Sequence, residues 1–209
     1  RIYDEDESRL LMGIHDGVKV VLVLEGEPGL TEWNYEKILK DAKDKGWTDL
    51  GSEAGEDWWA HRYDISYRQS QIMSHRQMIL DTFEIAATWK NLPIVHKTVK
   101  EVVAQVKGKG MLVVLAHLSH FYHTGGNIYF TLCGRTQDSD KTVEYYDDVW
   151  NALMKACTEA GGALSHHHGI GRLKKGHLAI QLGPLHNKLK EFKNAIDPKN
   201  ILNPSNMGI

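Results

Sequence analysis

Two apolar runs, Met111–Ser119 and Asn127–Leu132, stand on either side of the short connection His120–Gly126, and they constrain the fold more than any other feature of the chain. A connection of that length cannot carry the crossover that parallel neighbours need, so the two runs are expected to pair antiparallel as a hairpin. Upstream, Ile79–Ala87 reads as a further strand. Thr88 can cap a helix after it, with Leu92, Val95, Val99, Val102, Val103 and Val106 on the apolar face. Downstream, Asp138 or Ser139 opens a helix that carries Val143, Tyr146, Trp150, Leu153 and Cys157 on one stripe, with Gly161 past its end. Val18–Leu24, a β-branched run between Gly17 and Gly26, reads as a buried strand, and the spacing of Tyr35, Ile38, Leu39 and Ala42 predicts a helix that Gly46 stops. From Gly51 to Ser70 the periodicity breaks, as in a long functional loop with short helical pieces. A last helix is expected around Leu185–Ile196, followed by an irregular tail. This β-α, β-α, β-β-α order predicts an α+β fold, an antiparallel sheet covered by helices on one face. It offers no Gly-rich loop between strand and helix of the kind that cradles a dinucleotide.

Composition narrows the function. With 209 residues, 42% hydrophobic and 25% charged, the chain is long enough for one domain, or one domain with an arm. A net charge of -2 supplies no basic field for a nucleic-acid backbone, so nucleic acid is not an expected partner. No apolar run approaches membrane-spanning length and the first residues do not read as a signal peptide. Cys133 and Cys157 have no paired-ligand spacing, which fits a reducing compartment, and the cytoplasm is the expected location. The opening Arg1-Ile2-Tyr3-Asp4-Glu5-Asp6-Glu7-Ser8 reads like the middle of a longer protein.

The chemistry concentrates in Ser165-His166-His167-His168-Gly169-Ile170-Gly171. Imidazole titrates near neutral pH, and a run of it beside glycines that let backbone approach a ligand points to proton transfer or metal ligation. The bland alternative is a solvated loop or a purification tag, but a tag would sit at a terminus in polar sequence. In an extended stretch His166 and His168 would share a face and His167 would point away. A second histidine group, His117, His120 and His123, lies in the hairpin region, where His117 can equally be a satisfied sheet histidine. Tyr122 and Tyr129 bracket Thr124-Gly125-Gly126-Asn127 and gain interest only if they share a pocket with His167. Arg62 and Arg68 could grip a carboxylate or phosphate with the guanidinium fork, or make ordinary surface ion pairs.

The stretch Gly161–Gly171 closely resembles the C-terminal part of the alkylglycerone-phosphate (alkyldihydroxyacetonephosphate) synthases, flavoenzymes of the vanillyl-alcohol-oxidase type. Arg1-Ile2-Tyr3-Asp4, Trp59-Ala60-His61-Arg62-Tyr63 with Tyr67-Arg68, Phe83–Trp89, Tyr122–Phe130 and Asp197-Pro198 through Ile201-Leu202-Asn203-Pro204 are similar to further stretches of that family, in the same order. The resemblance implies the substrate or cap domain of an FAD-linked oxidase over residues 1–171, with ferredoxin-like elements. It implies a helical arm and tail over 172–209 that folds back on the flavin domain and brings Asn200 and Asn203 to the cofactor. FAD would be held mainly by an N-terminal domain or subunit outside this sequence, the isolated piece would be inactive and without metal, and a homodimer is admitted. The implied reaction exchanges the acyl chain of an acylated dihydroxyacetone phosphate for an alkyl chain at flavin N5, with a small or lipid-like anionic substrate. Tyr122 then matches the catalytic tyrosine, and His167 with His166 and His168 the essential imidazoles. Arg68 matches the substrate grip beside Arg62, and Arg76 is the other candidate because the intervals around Arg68 depart from the family pattern. Related D-lactate and glycolate dehydrogenases carry histidines where this chain has Tyr122 and Tyr129, and a glutamate where it has His167. That difference argues against a D-2-hydroxy-acid dehydrogenase, one rival; the other is a non-enzymatic metal-binding module built on the histidine clusters.

Overall fold

The computed structural model describes residues 1–64, 77–106 and 110–209. Its strands are β1 (Ile2–Tyr3), β2 (Lys19–Val20), β3 (Met78–Thr88), β4 (Gly110–Phe121) and β5 (Gly125–Thr136). They form one sheet in the order β2-β1-β4-β5-β3, each neighbour antiparallel. The helices are α1 (Glu5–Met12), α2 (Pro28–Asp44), α3 (Glu53–His61), α4 (Leu92–Val106), α5 (Thr142–Glu159), α6 (Lys175–Leu182) and α7 (Pro184–Ile196). The hairpin forms as its sequence requires, with both strands longer than their apolar runs and Tyr122–Thr124 left as the turn. Gly125 is obligatory there, because a Cβ would lie 2.0 Å from the Ala87 carbonyl oxygen.

Alternation along the strands sorts the two faces of the sheet. Phe83, Ile85, Ile128 and Phe130 point to one side and are buried against Leu92, Val95 and Val99 of α4 and Val149, Leu153 and Cys157 of α5. Phe83 and Phe130 are register partners whose rings stack at 4.7 Å. Each fully buried side chain of this size contributes about 1.5–3 kcal/mol of transfer free energy. Thr82, Glu84, Tyr129 and His117 therefore occupy the opposite face, where Glu84 is register partner of Tyr129 and Tyr129 of His117. Polar side chains of the hairpin thus gather on the side that α4 and α5 leave open.

Two expectations are corrected. Val18–Leu24 is not a buried strand: only Lys19–Val20 pairs, at the sheet edge against the two residues of β1, and Leu22, Val23 and Leu24 are exposed. So short a partner cannot extend the ladder, and apolar composition does not bury a run that nothing covers. Val143 likewise lies off the buried stripe of α5 and is exposed. Helix α1 follows from a signal in the sequence, Asp4 three residues before Glu7: the Asp4 carboxylate accepts a hydrogen bond from the Glu7 N–H at 2.9 Å, and Gly13 closes the helix at φ 66°. Among the described residues no helix is long and apolar enough to cross a membrane.

Candidate active site

The site is built where the end of α5 returns to the sheet. The Gly161 N–H donates to the Thr158 carbonyl and the Gly162 N–H to the Cys157 carbonyl, at 3.0 and 2.9 Å, with Gly161 at φ 78°. This paired closure turns the chain back onto β3. Gly162 passes so near the sheet that a Cβ would stand 2.5 Å from Ile85 Cγ2. Ala163 then bonds the edge of β3, its N–H donating to the Ala86 carbonyl at 2.7 Å, and Leu164 is fully buried. Lys174 Nζ, itself buried, donates to the Leu164 carbonyl at 2.7 Å, and Gln181 Nε2 to that of Gly162 at 2.8 Å. The histidine run starts from a clamped segment.

Glu84 organises the run. Its side chain is 0% exposed on the open face of β3, and its carboxylate accepts hydrogen bonds from Ser165 Oγ at 2.7 Å and from the N–H groups of His166, His167 and His168 at 2.7, 3.0 and 2.9 Å. Asn127 Nδ2 on β5 donates a further bond at 2.7 Å. Three successive backbone N–H groups aimed at one carboxylate make an anion nest, occupied here by the protein's own side chain. Burial would raise the pKa of Glu84, yet the donors from His168, Ser165, His166 and His167 hold it down at about 2. Glu84 is an anion at neutral pH.

Wrapping around Glu84 bends the run, so the expected alternation fails: His166 and His167 do not oppose one another. Their Nδ1 atoms are 3.1 Å apart, and both rings meet His120, at centroid distances of 5.0 and 5.2 Å. His120 arrives through a bulge between Ser119 and Phe121 that places it at φ 54°. Tyr122 Oη lies 2.8 Å from His166 Nε2. His167 Nδ1 is 3.8 Å from a Glu84 oxygen, and the His168 ring meets the edge of Tyr129 at 5.1 Å. Burial and the neighbouring imidazoles of His166 and His167 lower the pKa of His120, and burial lowers that of His168. Because His166 uses both ring nitrogens, Tyr122, His166 and His167 form one hydrogen-bonded series that can carry a proton from the phenol to the imidazole beside the buried anion.

Of the residues singled out in the sequence, Tyr122, His166, His167 and His168 are brought together. Arg68 and Arg76 lie outside the described residues. Arg62 ends α3, its guanidinium over the rings of Trp59 at 3.8 Å and Tyr63 at 4.5 Å and bonded to the Trp59 carbonyl. Asn200 and Asn203 are exposed in the tail at φ 50° and 47°, in turns whose N–H groups at Ile201 and Leu202 are held by the buried Asp197 carboxylate. The hairpin histidines divide: His117 is a satisfied sheet histidine bonded to Glu7 and Arg1, while His120 joins the cluster. Sequence reasoning missed Glu84; the signal was an acid between the apolar Phe83 and Ile85 of a strand that also carries Asp81. Beside His168 a cleft of about 240 Å³ is lined by Thr82, Gly169, Arg172 and Lys174.

The chain is similar to known proteins over most of its length. The chain is 31% identical over 159 residues, 74% of its length, to an alkyldihydroxyacetonephosphate synthase of Dictyostelium discoideum, and covers 26% of that protein. It is 28% identical over 192 residues, 90% of its length, to the alkyldihydroxyacetonephosphate synthase of Trypanosoma brucei brucei, and covers 31% of it. A solved structure of an alkyldihydroxyacetonephosphate synthase superposes with a TM-score of 0.66 at 20% identity, covering 97% of this chain and 39% of that one, and so shares its fold. The chain thus spans about a third or less of the length of these curated relatives. The family model for FAD linked oxidases, C-terminal domain, matches residues 9–207, nearly end to end, and the chain belongs to that family.

Proposed function

We propose that this domain forms the substrate wall of an FAD-dependent enzyme that exchanges the acyl chain of an acylated dihydroxyacetone phosphate for an ether-linked alkyl chain. The observation that carries the reading is the Tyr122–His166–His167 series on an open face of the sheet, backed by the buried Glu84 anion. FAD is the cofactor of this family, and the donor set fits one side of it: phenol and imidazole groups suit the polar edge of a flavin ring. Nothing among the described residues would cradle its diphosphate, so the domain contributes part of the binding. When bound, the flavin supplies the electron-accepting ring at which the exchange takes place.

The chain's own residues then divide the work. Tyr122 Oη takes up the proton that the substrate releases as its own hydroxyl proton passes to His166 Nε2. His166 hands the proton from Nδ1 to His167 Nδ1, where the Glu84 carboxylate balances the positive charge that develops. His168 and the cleft beside it orient the substrate. Arg68, or Arg76 in its place, grips its anionic group together with Arg62, and Arg172 stands at the cleft beside His168. Residues 172–209 are the arm that carries Asn200 and Asn203 to the cofactor, and the flavin-binding half is the partner domain or subunit. The test is to join the chain to that half and offer a fatty alcohol with acylated dihydroxyacetone phosphate, beside D-lactate and glycolate. Formation of the ether product without oxidation of the hydroxy acids is expected; hydroxy-acid oxidation without ether product overturns the reading.

A further inference from the structure

A polar row crosses the open face of the sheet in register: His117 of β4 faces Tyr129 of β5, and Tyr129 faces Glu84 of β3. The Glu84 end carries the histidine run, and the His117 end is closed by residues 1–8. His117 is buried, and so is Glu7 of α1, whose two carboxylate oxygens each lie 3.2 Å from His117 Nδ1. The Arg1 guanidinium donates to His117 Nε2 at 2.8 Å, which leaves the ring proton on Nδ1, where it faces Glu7. Burial lowers the pKa of His117, Glu7 opposes the shift and Arg1 adds to it, so a neutral imidazole stands in one tautomer between an anion and a cation. We propose that His117 is a positioning residue for the histidine run: fixed by Glu7 and Arg1, it sets the ring of Tyr129, and Tyr129 sets the rings of His167 and His168.

Ring contacts run unbroken along this row. His117 and Tyr129 stack at 4.9 Å and 21°, and Tyr129 is near-parallel to His167 as well, at 6.4 Å and 23°, while it meets the edge of His168 at 5.1 Å and 87°. The Tyr129 hydroxyl is tied to Thr82 Oγ1 at 3.0 Å, so the phenol is held at its tip by a bond and along its face by the His117 ring. Glu84 grips the run through the N–H groups of His166, His167 and His168, and backbone bonds fix where each Cα stands but not the angle of its ring. That angle is left to packing, and the ring contacts of His168 are with Tyr129 and His167. A buried anion, imidazole and cation can often be exchanged for apolar side chains without loss of stability, so stability does not account for the group at this end of the sheet, whereas the orientation of the next ring does. The contacts belong to the chain itself; only their consequence for turnover rests on the proposed reaction.

Multiple-bond ¹H–¹⁵N spectra of the imidazoles in the 209-residue chain test it. In wild type, His117 is expected as the single Nδ1–H tautomer, and nuclear Overhauser contacts should join the Tyr129 ring to both His117 and His168. His117→Leu should displace the ring resonances of His167 and His168, which lie across Tyr129 from the substitution, and leave those of the exposed His61 in place. His117→Phe keeps a ring against Tyr129 while Glu7 and Arg1, 3.9 Å apart, pair directly, so it should return the resonances close to their wild-type positions. In the protein joined to its flavin half, His117→Leu should lower kcat at least about 10-fold with KM changed less than about 2-fold, and His117→Phe should recover most of the loss. A joined wild type that makes no ether product would remove the proposed reaction and leave the resonance test standing. Absence of the Tyr129 contacts in wild type, unmoved His167 and His168 resonances in a folded His117→Leu, or resonances displaced as far by His117→Phe as by His117→Leu would overturn the positioning role. Where His117→Leu does not fold, the wild-type contacts and His117→Phe decide, and displaced His167 and His168 resonances in His117→Phe overturn it.

Discussion

Glu84 is a fully buried anion that holds four consecutive residues of the histidine run, and the consequences of losing it are specific. Glu84→Gln sets an amide N–H₂ against backbone N–H donors, so at least about 3 kcal/mol of stability should be lost, read from urea denaturation midpoints. An unchanged midpoint would mean that the run is held by other contacts. Asp4 is a second depressed acid: burial would raise its pKa, but His96, Lys100 and the Glu7 N–H hold it at about 2. For both groups the folded pKa lies below the ordinary values of 4.5 and 3.8, so their stabilisation is complete above those values and is lost as the pH falls towards 2. The melting temperature should therefore drop over that window, and Asp4→Asn should flatten the drop; an equally steep profile in the variant would contradict the assignment. At this scale the imidazoles were legible because three in a row beside glycines are chemically conspicuous, whereas Tyr122 was singled out through the family resemblance. Glu84 was not, since the donors that make its burial tolerable come from Asn127 and from Ser165–His168, 43 and 81 to 84 positions away.

Elements were readable where local pattern and tertiary demand agree. The hairpin, β3 and the end of α5 satisfy both, and the glycine pair after α5 does more than end a helix: it brings the run against the sheet. Gly162→Ala should cost about 1–3 kcal/mol by chemical denaturation, because the new methyl must displace Ile85 or the segment itself. Wild-type stability in that variant would show that the segment has room to move. Val18–Leu24 could not be read, because burial depends on what lies over an edge strand and a window of sequence does not report it. The bent course of His166–His168 was equally hidden, since an extended stretch and a nest around a carboxylate share the same local sequence.

Across the whole molecule, one face of the α6–α7 region and the tail stays uncovered: Ile180, Leu185, Phe192, Ile196, Ile201 and Leu202 are all exposed. If that arm docks on the flavin-binding half, amide exchange over 175–202 should slow by at least about 10-fold when the two are joined, while β3–β5 stays as protected as before. Equal exchange in both states would place the arm elsewhere. The 209-residue chain alone is expected to purify colourless, and a stoichiometric yellow cofactor on it would contradict the view that it supplies only part of the FAD site. The most direct measurement follows flavin absorbance on substrate addition, in the joined protein, for wild type, Tyr122→Phe and His167→Ala. Both side chains are exposed or half-buried at turns, so the variants should keep the wild-type melting temperature while the rate of bleaching falls about 10²- to 10⁴-fold. Wild-type bleaching rates in both variants would contradict the Tyr122–His166–His167 series as the proton-transfer machinery.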